Sequence, residues 1–410
     1  MNSMPNLLRG LLLAALVFCG ARSPLQAQAE RLALGTPTSV GFPADLTDRL
    51  DEALLQALEA GASPGVEALV LVGHKEIYHR AFGFAETVPE EIPLQKDSVF
   101  DVASLTKVMV TTPLVLMLAE EGRLALEDPV SRFFPEYVGG GRESVRLRHL
   151  LTHTSGVGNL PGTYLLLSGK EAYLQAILAW PLRHPPGERR IYSDFGMMLL
   201  GFVVEKVSGQ TLDSLADQRI FRPLGLRRTQ FYPPLAWRWR CAALEICPWR
   251  QGLVRGVVHD ENCYAMGGIA GHAGLFSTAE DMAVFSRMLL NGGTWSGKRV
   301  LEEESIEAML ADQNIPDATF QRLGWQVQEE IGQKTGWLLS PKTFGHTGFP
   351  GDSLWIDPDH ETVAILLSNA IHPYRDQADR TLLRKGFHEI LTGALEDRHR
   401  ESSPPGELSE

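Results

Sequence analysis

The chain has 410 residues, 44% of them hydrophobic and 21% charged. That length holds one large domain or two linked ones, with ample apolar side chain for a core. Its formal net charge of −12 argues against a nucleic-acid partner, because phosphate recognition needs clustered Lys and Arg.

The first stretch reads as a secretory leader. Arg9 precedes the apolar run Leu11-Leu12-Leu13-Ala14-Ala15-Leu16-Val17-Phe18, which is short for a bilayer span. Ala27-Gln28-Ala29 then offers a small-x-small cleavage site, so residues 1–29 are expected to be removed and the mature chain to be periplasmic or extracellular. Cys19 raises a lipid-anchored alternative, which the bulky Phe18 before it disfavours. No later segment is long and apolar enough to span a membrane. Cys241, Cys247 and Cys263 remain in the mature chain, an odd number that leaves at least one free thiol. Cys241 and Cys247 are close enough to pair, and the sequence leaves their state open. None of the three has the spacing of a zinc site.

Residues 30–43 read as a polar leader to the fold. Leu46, Leu50, Leu54 and Leu58 then recur at helical spacing, and Ser63-Pro64-Gly65 ends that helix. Val66–Val72 and Glu76–Phe82, around Gly73-His74, predict an antiparallel hairpin. Val108–Ala119 predicts a buried helix that Pro113 kinks or breaks and Gly122 ends. His149 and His153 stand four apart, but Leu150 occupies the place where a zinc protease needs Glu. A short helix ending in a Thr/Ser turn is the expected reading. Tyr173–Leu178 and Met197–Val204 are helical in pattern, whereas 233–257 reads as a long ordered loop. The glycines of Gly267–Gly274 lack the Lys and Ser/Thr of a phosphate loop, so they are expected to serve tight turns or close backbone approach. Ser277-Thr278-Ala279-Glu280 reads as a capping box for a helix carrying Met282, Phe285, Met288 and Leu289. Strand patterns return at Leu323–Val327, Gly345–Gly348, Leu354–Ile356 and Thr362–Leu367. Leu382, Leu383, Phe387 and Ile390 mark a closing helix.

The expected fold class is α+β, an antiparallel sheet flanked by helices, with a mainly helical insertion. In domain terms, 30–125 and 275–400 form the sheet domain, 126–274 the insertion, and 401–410 a disordered tail.

Three motifs carry chemistry. Ser104 and Lys107 occur in Ser104-Leu105-Thr106-Lys107 at the start of the buried helix, where a hydroxyl and an amine three apart share a face near the positive end of the helix dipole. That is an activated nucleophile in outline. Tyr192-Ser193-Asp194 follows in a turn, where a phenol with its pKa lowered by an ammonium passes protons. His346-Thr347-Gly348 is the third, with a glycine that lets substrate lie close to the backbone and the next N–H, of Phe349, free to donate.

In this order the three sets resemble the serine β-lactamase and penicillin-binding superfamily, most of all its class C β-lactamase, DD-peptidase and esterase branch. Phe100-Asp101-Val102-Ala103, His149–Gly156, Tyr192–Gly201 and Val258–Asn262 through Gly274–Ser277 add to the likeness. The resemblance implies a two-step acyl transfer in which Ser104 attacks a carbonyl and Lys107 and Tyr192 share the base role. The N–H groups of Ser104 and Phe349 form the oxyanion hole, and Asp194, His346, Thr347 and Gly348 bind substrate. It implies no metal or organic cofactor and a small-molecule or peptide substrate. The substrate is a β-lactam, a D-amino-acid peptide or an ester; oligomeric state is left open. Two positions depart from class C enzymes. Asp194 stands in place of Asn and is free to pair with Lys107. His346 stands in place of Lys and, mostly neutral near pH 7, grips a carboxylate less firmly. The alternative is an envelope sensor that keeps the fold and acylates with little turnover. An α/β-hydrolase is disfavoured because no Gly-x-Ser-x-Gly elbow occurs.

Overall fold

The computed structural model describes residues 32–316, 318–327, 340–376 and 379–402. The expected leader, and the tail beyond 402, lie outside the described residues.

The leucine stripe forms α1 (Leu46–Glu59), with Leu46, Leu50 and Leu54 fully buried. The hairpin follows as β1 (Gly65–Val72) and β2 (Lys75–Glu86), paired from Gly65↔Gly83 to Val72↔Lys75 with one bulge after Val70. Every residue of β1 is buried because both sheet faces are covered: Val66, Ala68 and Val70 point to one apolar cluster, Leu69 and Leu71 to the other.

Pro113 does not break the next helix. A π-helical turn over Lys107–Thr111 runs straight into α2 (Thr112–Glu120), and Pro113 sits at the second position of α2, where a missing N–H is tolerated. Then come α3 (Leu147–Leu151), α4 (Lys170–Ala179) and α5 (Asp194–Ser208). The loop expected over 233–257 instead contains a helical turn at Leu235–Arg240 and a hairpin of β3 (Ala243–Cys247) and β4 (Gly252–Arg255). Its polar and aromatic composition hid the alternation. The helix α6 (Ala279–Leu290) is capped by Thr278, whose side chain accepts from the Asp281 N–H. Ser277 belongs to a two-residue strand paired with Phe100–Asp101, so the cap falls one residue later than expected, on Thr278, and the expected Ser277–Glu280 capping box does not form.

The last strands are β5 (Phe344–Thr347), β6 (Ser353–Asp357) and β7 (Thr362–Ser368). The helix α7 (Arg380–Ser402) runs two residues into the tail that was expected to be disordered. The main sheet has the order Ala33–Leu34, β2, β1, β7, β6, β5, Gln326–Val327. Among the described residues only its first pairing is parallel. Thus strands from both ends of the chain zip together at β1 and β7. The helices α1 and α7 pack on one face and α6 on the other. The apolar cluster on the α6 side is continuous with residues of α2, α3, α4 and α5. Cys241, Cys247 and Cys263 are buried free thiols.

Candidate active site

Ser104 enters its helix through a constrained turn. Ala103 has φ +46°, a left-handed conformation that costs a non-glycine residue on the order of 1 kcal/mol and needs its surroundings to hold it. Asp101 supplies the hold: its buried carboxylate accepts from the Ala103 N–H at 2.9 Å and from the His259 N–H at 2.7 Å. Thr106 Oγ1 donates to the Ala103 carbonyl at 2.6 Å and accepts from the Leu275 N–H at 3.1 Å. The Ser104 turn is thereby fastened to the 259 and 275 segments.

Lys107 is completely buried, and three acceptors face its ammonium. These are Ser104 Oγ at 2.9 Å, Asp194 Oδ1 at 2.8 Å and the His272 carbonyl at 2.9 Å. Three protons and three acceptors leave the ammonium saturated. Burial works against its charge, but the Asp194 carboxylate and the Tyr192 phenol outweigh burial and hold the lysine above its ordinary value. Tyr192, 88 positions away, donates its hydroxyl to Ser104 Oγ at 2.9 Å. Its ring lies 4.9 Å from the lysine nitrogen and 4.6 Å from the His153 ring. The expected lowering of the phenol pKa is overturned. Burial pushes it up, and the pull of Lys107 does not offset burial together with the nearby Asp194 charge.

The turn that presents Tyr192 is held largely by His153 and Asn159, which lie outside the three motifs. His153 Nδ1 accepts from the Ser193 N–H at 3.2 Å, and Ser193 Oγ caps α5 at the Gly196 N–H. Asn159 Oδ1 accepts from the Asp194 and Phe195 N–H groups at 2.8 and 3.2 Å, and its Nδ2 donates to Asp194 Oδ2 at 3.3 Å. The pairing of Asp194 with Lys107 is present, and Asp194 is absent from the cavity lining. On the far side, His272 Nε2 meets Asp260 Oδ1 at 2.8 Å, which fixes the segment whose carbonyl holds Lys107. No spacing in the sequence links His153, Asn159 or His272 to the serine.

The third motif lies on β5. His346 Nδ1 bonds the Thr347 carbonyl at 2.8 Å, and burial with the nearby Lys107 charge lowers its pKa to about 3. It is neutral, as expected, and brings no positive charge to a ligand. Gly348 is also required by the packing of the chain itself. A Cβ there would stand 2.7 Å from Asp352 Oδ2 and 2.9 Å from the Val102 carbonyl, so the glycine accommodates the protein's own groups. Among the described residues, the N–H groups of Ser104 and Phe349 have no hydrogen-bond acceptor.

Ser104, Tyr192, His346, Thr347, Gly348 and Phe349 line one cavity of about 510 Å³ together with Gln326, Arg190, Arg380, Thr381 and Arg384. Among the described residues it is lined by three arginines and no carboxylate. Among the described residues, no three His, Cys, Asp or Glu side chains gather to hold a metal. No helix among them is long and apolar enough to cross a membrane.

A serine, a lysine and a tyrosine meeting over an antiparallel sheet define the class, the serine hydrolases of the β-lactamase and penicillin-binding superfamily. Residues 50–387 match the family model described as Beta-lactamase, and the chain belongs to that family. A protein of Escherichia coli (strain K12), provisionally named as a D-alanyl-D-alanine carboxypeptidase, is 32% identical over 394 residues. The match covers 87% of this chain and 90% of that one. A class C β-lactamase from Rhodobacter sphaeroides shares the fold with TM-score 0.68 at 20% identity, over 85% of this chain and all of that one. EstCE1, a hydrolase with promiscuous acyltransferase activity, gives TM-score 0.67 at 21% identity, over 84% of this chain and 98% of that one.

Proposed function

We propose that the protein is an exported serine hydrolase whose acyl-enzyme forms on Ser104, with D-alanyl-terminated peptides as its leading substrate class. The observation that carries this reading is that Lys107 Nζ and Tyr192 Oη each lie 2.9 Å from Ser104 Oγ. The three arginines, with no carboxylate among the described lining residues, favour a substrate that ends in an anion, and the name of the Escherichia coli relative agrees with that choice. β-Lactams and carboxylic esters remain within the class of reaction.

The pair Lys107 and Tyr192 first gives up one proton to solvent. It takes the Ser104 hydroxyl proton as Oγ bonds to the substrate carbonyl carbon. The carbonyl oxygen gathers negative charge between the Ser104 and Phe349 N–H groups. Tyr192 hands the proton to the leaving nitrogen or oxygen as that bond breaks. Water then attacks the ester, the pair takes its proton, and Ser104 recovers a proton as the acid leaves. Since Lys107 and Tyr192 both hold their protons above ordinary values, turnover is expected to rise on the alkaline side.

The test is hydrolysis of D-Ala-D-Ala peptides, nitrocefin and p-nitrophenyl esters by purified protein and by Ser104→Ala, Lys107→Ala and Tyr192→Phe. Ser104→Ala is expected to abolish turnover, and the other two to lower kcat by about 10³-fold or more. Normal turnover in Ser104→Ala sinks the proposal. A fluorophosphonate or penicillin label that stays on Ser104 without product release replaces it with the sensor reading. Export through a cleaved leader over 1–29 is checked by the N-terminal sequence of the mature protein.

A further inference from the structure

An oxyanion-hole donor works only if its peptide plane is held still before charge develops. The Phe349 N–H shares a plane with the Gly348 carbonyl, and in a trans peptide the two point to opposite sides. Whatever fixes the Gly348 oxygen therefore aims the Phe349 N–H. That oxygen accepts from Arg384 Nη2 at 2.7 Å. The same guanidinium donates to the Asp352 carbonyl at 2.9 Å and, through Nε, to the Gly351 carbonyl at 3.0 Å. One turn earlier on α7, Arg380 donates to the carbonyl of Phe349 itself at 2.8 Å and lies 4.5 Å over its ring.

Arg384 has no ion pair with a carboxylate among the described residues. Burial lowers its pKa to about 10, which leaves it charged at neutral pH. A half-buried guanidinium spent on three main-chain carbonyls gives up part of its hydration, and an apolar side chain would fill the same space. The carbonyls it holds all belong to the turn between β5 and β6.

We propose that Arg384 is a positioning residue for the oxyanion hole. It clamps the Gly348–Phe349 peptide so that the Phe349 N–H faces the carbonyl attacked by Ser104, while Arg380 steadies the next peptide. The clamp rests on the acyl-enzyme reading above, in which Ser104 and Phe349 supply the hole. A cation on the carbonyl oxygen also polarises the peptide and strengthens its N–H as a donor.

The experiment compares the parent protein with Arg384→Met, Arg384→Lys and Arg380→Met on p-nitrophenyl acetate. This neutral ester removes any role of the arginines in binding a substrate carboxylate. Phenylboronic acid, which adds to the serine as a tetrahedral anion, is titrated in parallel. Arg384→Met is expected to lower kcat about 10- to 100-fold with KM within about threefold. That is a fraction of the roughly 10²- to 10³-fold lost when a donor is removed outright. Boronate affinity falls by the same factor, and Arg384→Lys, able to reach one carbonyl, recovers part of both. If Arg384→Met does not fold by circular dichroism, the Arg384→Lys and Arg380→Met pair decides, with parallel losses of kcat and boronate affinity expected. Unchanged kcat in the folded variants, or a kcat loss with boronate affinity intact, overturns the clamp alone. Turnover surviving in Ser104→Ala removes the acyl-enzyme reading and the clamp with it.

Discussion

Asp194 is the residue that sets this site apart. An asparagine there would leave Lys107 with a neutral neighbour, whereas the carboxylate 2.8 Å away holds a charge against it. Asp194 raises the proton affinity of both Lys107 and Tyr192. The base form of the pair therefore appears at higher pH than it otherwise would. Asp194→Asn is expected to move the rising limb of the kcat/KM profile to lower pH, because the charge that stabilises the protonated pair is gone. A pH profile of ester hydrolysis checks this, and a limb that stays put or moves up contradicts it. The substitution itself was readable in the sequence. Its partner was not, since nothing in a string of letters says that residues 107 and 194 touch.

At the scale of elements, the site depends on how closely α5 approaches the glycine-rich segment. Gly271 lies against Gly201 of α5, and a Cβ on Gly271 would fall 2.2 Å from the Met197 carbonyl. The same segment accepts Thr111 Oγ1 on the Gly271 carbonyl and Lys107 on the His272 carbonyl. Gly271→Ala is expected to push α5 away from the helix that carries Lys107. The cost is about 3 kcal/mol of stability, at the upper end for overpacking, and activity falls with it. Thermal melting and ester turnover measured together check this; an unchanged midpoint rules out the close packing. Close approach was one of two roles the glycines could serve on sequence grounds. The helix to which they are fitted emerges only from the fold.

At the scale of the whole molecule, the sheet core holds an ionisable pair whose protonation bears on stability. Glu67 on β1 and His79 on β2 meet at 2.8 Å in the interior, with Glu76 3.5 Å from the other ring nitrogen. Burial raises the Glu67 carboxyl to about 7. Burial also opposes the His79 charge, but the bonds to Glu67 and Glu76 prevail and hold the imidazole up to about 9. Both lie above the ordinary values of 4.5 and 6.5, so the folded protein binds more protons than the unfolded chain between them. Stability from the pair is present on the acid side and is lost as the pH rises through about 7 and on to about 9. The thermal midpoint is expected to fall over that range, and Glu67→Gln to flatten the fall. A midpoint that climbs with pH would exclude it.

By itself the sequence determined the periodic elements, because their apolar spacing has one physical solution each. It also singled out Ser104, Lys107 and Tyr192 as the groups to examine, because few residue types activate a hydroxyl. The tertiary structure alone decided how those groups are tuned. Burial, not the neighbouring ammonium, sets the phenol. A neutral His346 and three arginines, two of them from the last helix, set the charge of the cavity. Desolvation and contacts between distant segments are properties of the packed chain, and no local pattern of residues encodes them.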